Sequence, residues 1–117
     1  MVHGLVARAL PELALWALGR RARFRVAGDS MSPALAPGDQ ILVDLAAYRR
    51  RGPRPGDVVL ARHPYRRDAR LVKRVARVAA DGRCELAGDN PEASTDSRGF
   101  GSVPAELLLG RVVLRLG

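Results

Sequence analysis

One phrase occurs twice in this chain: Pro37-Gly38-Asp39-Gln40-Ile41-Leu42-Val43 and Pro55-Gly56-Asp57-Val58-Val59-Leu60-Ala61. Each joins a turn dipeptide to an apolar, β-branched run. Proline presets φ at one corner of a tight turn and glycine tolerates the left-handed conformation at the next, so both copies predict a strand issuing from a turn. Further strands are expected at residues 24–27, 71–78, 84–87 and 112–116, with Asp81-Gly82 as a hairpin turn between the second and third of these. The expected fold is mostly β: a single antiparallel β domain behind a short N-terminal helix. The repeated phrase is too short to indicate a repeat architecture.

A chain of 117 residues fits one domain and leaves no room for a second. We divide it into a helix and basic linker at residues 1–25 and the β domain at residues 26–117. Residues 5–18 are largely apolar, but the stretch falls short of the roughly 20 residues a spanning helix needs and is interrupted by Arg8 and Glu12. Positive charges follow it and no small-residue cleavage site closes it, unlike a secretory signal. Pro11 and Glu12 suit a first helical turn, Leu13, Trp16 and Ala17 share a face, and Gly19 ends the helix. Such a helix either packs on the domain or makes a peripheral contact with a membrane surface or partner.

The formal net charge of +8 raises nucleic acid, anionic membrane and acidic protein as partners. The arginines form short clusters at residues 20–25, 49–54 and 66–70 rather than a helical stripe. With only two Phe, two Tyr and one Trp for base stacking, a solvated surface is expected and nucleic acid is not. The single cysteine, Cys84, rules out an intramolecular disulfide and suits a small buried strand residue. Neither His3 nor His63 has ligand-like spacing to it, so no metal and no cofactor are expected.

Of the twenty basic residues, only Lys73 is a lysine. Arginine stays protonated in proteins, whereas a desolvated lysine can be neutral near pH 7 and act as a general base. Strand alternation places Leu71, Lys73 and Val75 on one face, giving the amine apolar neighbours. Lowering a lysine pKa from about 10.4 to about 7.5 takes roughly 4 kcal/mol, within the range seen for buried lysines. The alternative is that one lysine survives in an arginine-biased chain. In Gly28-Asp29-Ser30-Met31-Ser32-Pro33-Ala34-Leu35, Ser30 occupies a turn leaving a strand. Gly28 permits a close backbone approach, so the Ser30 amide can face a developing oxyanion. A serine-proline turn with only a capping role is the alternative. Met31 lines the adjoining groove or belongs to the core. His63 is the usual type of base for a serine, but nothing in the sequence orients it.

Three segments, Ser30-Met31-Ser32-Pro33-Ala34-Leu35, then Lys73-Arg74-Val75, then Gly88-Asp89-Asn90 with Ser94-Thr95-Asp96-Ser97-Arg98 and Gly101, resemble in order the boxes of the signal peptidase I family. The resemblance implies a Ser-Lys serine endopeptidase of the signal peptidase and LexA-like β type. It implies Ser30 as nucleophile, Lys73 as general base, Ser94 as the hydroxyl that orients the amine, and Asp96 with Arg98 as an ion pair bracing the loop. Where some members carry an oxyanion-hole serine, this chain has Gly28. Gly88-Asp89-Asn90-Pro91, Asp96-Ser97-Arg98 and Phe100-Gly101 further resemble the nickel-type superoxide dismutase maturation proteases, which implies a precursor protein as partner, an N-terminal leader as the part removed, and a cytoplasmic location with peripheral membrane contact as the alternative. Two other readings stand beside this one. A LexA-like self-cleaving regulator would need a DNA-binding domain, for which the 29 residues before Ser30 are too few. A non-catalytic basic β module would bind nucleic acid or acidic protein.

Overall fold

The computed structural model describes residues 21–93 and 97–117. The helix expected near the N-terminus lies outside the described residues. Six strands form one sheet: β1 (Ala22–Arg25), β2 (Gln40–Asp44), β3 (Val58–Arg62), β4 (Arg70–Val78), β5 (Cys84–Ala87) and β6 (Leu108–Arg115). Their order is β1-β2-β6-β3-β4-β5, with every neighbouring pair antiparallel. The fold is therefore mostly β, a single antiparallel sheet. Among the described residues no helix is long and apolar enough to cross a membrane.

Strand positions depart from the sequence reading at both ends. The first strand starts at Ala22, inside the segment read as linker, and Val26 bonds to a turn instead of extending it. The last begins at Leu108 rather than at 112, because β2 and β3 flank it on either side and extend the pairing through Gly110. A one-turn helix, α1 (Ala47–Arg50), was not anticipated. Between β5 and β6 the chain contains a 3-10 turn at Pro91–Ala93, a short helix α2 (Ser97–Phe100), and a bridge from Val103 to Cys84.

Both faces of the sheet are covered. Val58 and Leu60 join Val26, Met31, Leu35, Ile41, Val43 and Val112 in one core, while Val59 and Ala61 join Val75, Cys84, Leu86, Phe100, Val103 and Leu108 in the other. Alternate residues of β3 thus enter opposite cores, which is why its sequence is apolar without interruption. Register shifts between Leu42 and Val43, Leu60 and Ala61, and Val75 and Arg77 add local twist. Gly110 sits at the closest approach. A Cβ there would lie 2.6 Å from the Asp44 carbonyl oxygen and 2.6 Å from Val43 Cγ1.

The two Pro-Gly-Asp phrases fold into the same device. In each turn the Asp amide donates to the carbonyl three residues back, Asp39 to Ala36 (3.1 Å) and Asp57 to Arg54 (3.0 Å), with Gly38 and Gly56 at φ of 85° and 93°. Each glycine amide donates to a valine carbonyl, Gly38 to Val26 and Gly56 to Val75, both at 2.8 Å, and each valine amide returns a 2.8 Å bond to the Asp carbonyl. The arginine before each valine then caps the glycine carbonyl: Arg25 Nη1 to Gly38 at 3.0 Å, Arg74 Nη1 to Gly56 at 2.9 Å. Each Asp carboxylate accepts a backbone N–H within its turn and pairs with a further arginine, Asp39 with Arg115 at 3.0 Å and Asp57 with Arg51 at 3.3 Å. One clamp closes the base of the loop carrying Ser30. The other grips the strand carrying Lys73.

Gly110→Ala should lower stability by about 1–3 kcal/mol, because a backbone oxygen cannot step aside as a side chain can; urea unfolding measures it. Asp57 supplies a pH test. Burial alone would push its carboxyl up, but bonds from the Tyr48 hydroxyl (2.8 Å), the Arg54 amide and Arg51 outweigh that and hold it below the usual carboxylate range. Its contribution is therefore present above the ordinary carboxylate pKa and lost as pH falls through the lower folded value. The urea midpoint of Asp57→Asn should decline less steeply than that of wild type between about pH 4 and pH 2.

Candidate active site

Ser30 lies in the 26–39 loop between β1 and β2, just beyond the first clamp. The Ser32 amide donates to the Asp29 carbonyl (3.3 Å), the Ser32 hydroxyl donates to Asp29 Oδ1, and the Leu35 amide donates to the Met31 carbonyl (2.9 Å), so the segment forms a compact turn. The Ser32-Pro33 peptide bond is cis. Met31 and Leu35 point into the core at 1% and 0% exposure. Met31, one of two placements open from sequence, is thus a core residue that anchors the turn. Gly28 has φ of 77°, a left-handed conformation that a serine would adopt only with strain. Asp29 and Ser30 amides have no acceptor among the described residues.

Lys73 is in the middle of β4, paired opposite Val59 of β3, and is 3% exposed. Its same-face neighbours Leu71 and Val75 belong to the core that also holds Val59. Among the described residues it is the only buried cationic side chain. The apolar setting expected from strand alternation is present.

A relay of bonds links the two segments. Beyond β5 the chain turns through Gly88-Asp89-Asn90, where the Asn90 amide donates to the Ser30 carbonyl at 2.7 Å and the Asn90 side-chain amide reaches the Asp29 carbonyl (3.2 Å) and Asp29 Oδ2 (3.4 Å). One residue earlier, Asp89 accepts two bonds from Arg74, Nε to Oδ1 and Nη2 to Oδ2, each 2.9 Å. That carboxylate pushes the guanidinium pKa further up, against an opposing effect of burial. Arg74 is the residue after Lys73. The serine turn is thus fastened to the lysine strand through Asn90, Asp89 and Arg74. The pairing of Asn90 with Asp29 was not anticipated, and the Gly-Asp-Asn motif was its only sequence signal.

The surroundings offer a strand edge and a pocket. Strand β4 pairs with β3 from Arg70 to Arg74 but with β5 only from Arg74 onward, so the outer edge of residues 70–73, ending at Lys73, meets no strand among the described residues. At its start the Arg70 guanidinium stacks 5.4 Å from the Phe24 ring of β1, and Phe24 and Val72 pack on one core. A mainly apolar cavity of about 120 Å³ is lined by Ala34 and Leu35 after the serine, Arg74 after the lysine, and Val58 and Val112. Ser94 and Asp96 lie outside the described residues, and Arg98 falls in α2. His63 is committed elsewhere: its Nδ1 accepts the Tyr65 amide at 3.0 Å and its ring stands edge-on to Phe100. Cys84 is buried at 0% exposure, and burial raises its thiol pKa.

A family model described as signal peptidase, peptidase S26, matches residues 5–82, which include both Ser30 and Lys73. The chain belongs to the signal peptidase family, peptidase S26. Its curated relatives include the mitochondrial inner membrane protease subunit 1 of Xenopus tropicalis, 31% identical over 76% of this chain and 65% of its own length. The mitochondrial ATP-independent inner membrane protease subunit 1a of Arabidopsis thaliana is 34% identical over 78% of this chain and 67% of its own. The Homo sapiens subunit 1 is 28% identical over 76% and 65%. The chain therefore spans about two thirds of the length of the relatives it matches. These names overturn the expectation of a cytoplasmic location, because each refers to a protease of an inner membrane.

The link between Arg74 and Asp89 is open to direct test. Both side chains are mostly shielded, at 18% and 21% exposure, so Asp89→Ala should cost about 1.5–3 kcal/mol by leaving a charged donor unpaired. Arg74→Lys should lose most of the same stability despite keeping the charge, since an ammonium cannot span two carboxylate oxygens and the Gly56 carbonyl at once. Urea denaturation of both variants checks this.

Proposed function

We propose that this chain is a membrane-associated serine endopeptidase that removes an N-terminal leader or signal segment from a precursor protein, with Ser30 as nucleophile and Lys73 as general base. The observation that carries the reading is the burial of Lys73, the chain's only lysine, in a strand fastened through Arg74, Asp89 and Asn90 to the turn of Ser30. Membership of the family and the inner-membrane names of the relatives support the activity and the location.

In this mechanism the neutral Lys73 amine takes the Ser30 hydroxyl proton as Oγ attacks the scissile carbonyl. The oxyanion is received by the Ser30 amide together with the Asp29 amide, since Gly28 has no hydroxyl to offer and both amides lack an acceptor among the described residues. The C–N bond breaks as the Lys73 ammonium returns its proton to the leaving amine. Water, losing a proton to the same amine, then hydrolyses the ester and restores Ser30. Ser94 orients the amine, and Asp96 with Arg98 braces the loop. The substrate lies extended along the open edge of residues 70–73, with a small side chain in the cavity behind the turn.

The likeness of Gly88–Pro91, Asp96–Arg98 and Phe100-Gly101 to the nickel-type superoxide dismutase maturation proteases makes that enzyme's precursor the first substrate to test. Incubation of wild type, Ser30→Ala and Lys73→Arg with this and other leader-bearing precursors should give N-terminal trimming by wild type alone. Each variant should lose roughly 10³-fold or more in rate. Lys73→Arg keeps the charge and removes only the capacity to be neutral, so retained cleavage in that variant would eliminate the dyad.

A further inference from the structure

The loop between β3 and β4 presents an unusual tip. Tyr65 is 77% exposed; the other exposed large apolar side chain among the described residues, Leu45, is 48% exposed. Arg66 and Arg67 follow it, and Arg62 and Arg70 stand at the adjoining strand ends, all four exposed. Among the described residues Arg62, Arg66 and Arg67 form no ion pair, and Asp68 is the loop's single acidic residue.

This tip is built rather than loose. The His63 amide donates to the Ala69 carbonyl (2.9 Å) and the Ala69 amide to the Arg66 carbonyl (3.0 Å), closing the loop at its base. His63 Nδ1 holds the Tyr65 amide at 3.0 Å, and the His63 ring is itself wedged 5.3 Å from Phe100. The phenol is therefore carried outward by a fixed backbone, with guanidiniums around it.

We propose that this loop docks on an anionic lipid surface, Tyr65 entering the headgroup layer while Arg62, Arg66 and Arg67 face lipid phosphates. Tyrosine settles at headgroup depth because its ring is apolar and its hydroxyl is not, and each arginine near an anionic leaflet adds about fivefold in binding. A lone aromatic gives no stacking platform for nucleic acid. A lipid partner also suits the position of the loop. It ends at Arg70, where the open edge leading to Lys73 begins, so docking would set that edge at the membrane surface. The contact goes beyond the peptidase reading and is measured without it.

The test is co-sedimentation of the full chain with vesicles of phosphatidylcholine alone or mixed with phosphatidylglycerol. Wild type should pellet with the mixed vesicles and be released by salt. Arg66→Gln with Arg67→Gln should weaken binding about 25-fold, Tyr65→Ser should remove most of what remains, and Tyr65→Phe should keep it. Arg77→Gln is the control: Arg77 lies toward the far end of β4, is also exposed and pairs with Glu85, and its loss should leave binding unchanged. Undiminished binding by the loop variants would assign the contact to another segment and overturn the proposal. So would an equal loss with Arg77→Gln, which would mean diffuse charge rather than a docking loop. Cleavage of a soluble precursor peptide should be the same in the loop variants as in wild type, so the two readings fail separately.

Discussion

The guanidinium of Arg74 makes three bonds to two different segments, and the arrangement of the site depends on them. Two go to the Asp89 carboxylate and one to the Gly56 carbonyl, so a single rigid fork ties the turn before β3, the strand of Lys73 and the loop that touches Ser30. Arginine can do this because its donors diverge in a plane, whereas an ammonium offers one point of charge. Adjacent positions in β4 thus carry opposite demands. Arg74 must be charged and directional, and Lys73, on the other face, is buried beside Leu71, Val75 and Val59.

The repeated phrase explains how so small a sheet can hold two distant segments together. Each copy makes the same turn, docks it on a valine and seals it with the arginine before that valine. A short motif with no repeat architecture behind it became a repeated tertiary joint. The joints differ only in what they hold: a loop bearing a hydroxyl in one case, a strand bearing an amine in the other.

Much of this was legible beforehand because it is local. Turn type follows from Pro-Gly-Asp within four residues, and β5 coincides with the expected residues 84–87 because Asp81-Gly82 marks its start. The burial of Lys73 followed from alternation. What could not be read depends on contacts distant in sequence. The extension of β6 through Gly110 needs two flanking strands, the core position of Met31 needs a second layer, and the bond from Asn90 to Ser30 joins residues sixty positions apart. The helix α1 lacks a side-chain cap, so nothing in its first turn announced it. The cytoplasmic expectation failed for another reason: it rested on a likeness to one group of maturation proteases, whereas the relatives the chain matches are named for an inner membrane.

Replacing nearly every lysine by arginine has a chemical consequence. An amine-directed reagent approaching this protein meets guanidiniums, which acylate poorly, across the described surface. The one side-chain amine in the chain lies inside, on a strand tied to the turn of Ser30 through Arg74, Asp89 and Asn90. Tethering, crosslinking or acyl modification aimed at lysine therefore has a single side-chain address here, and that address is buried.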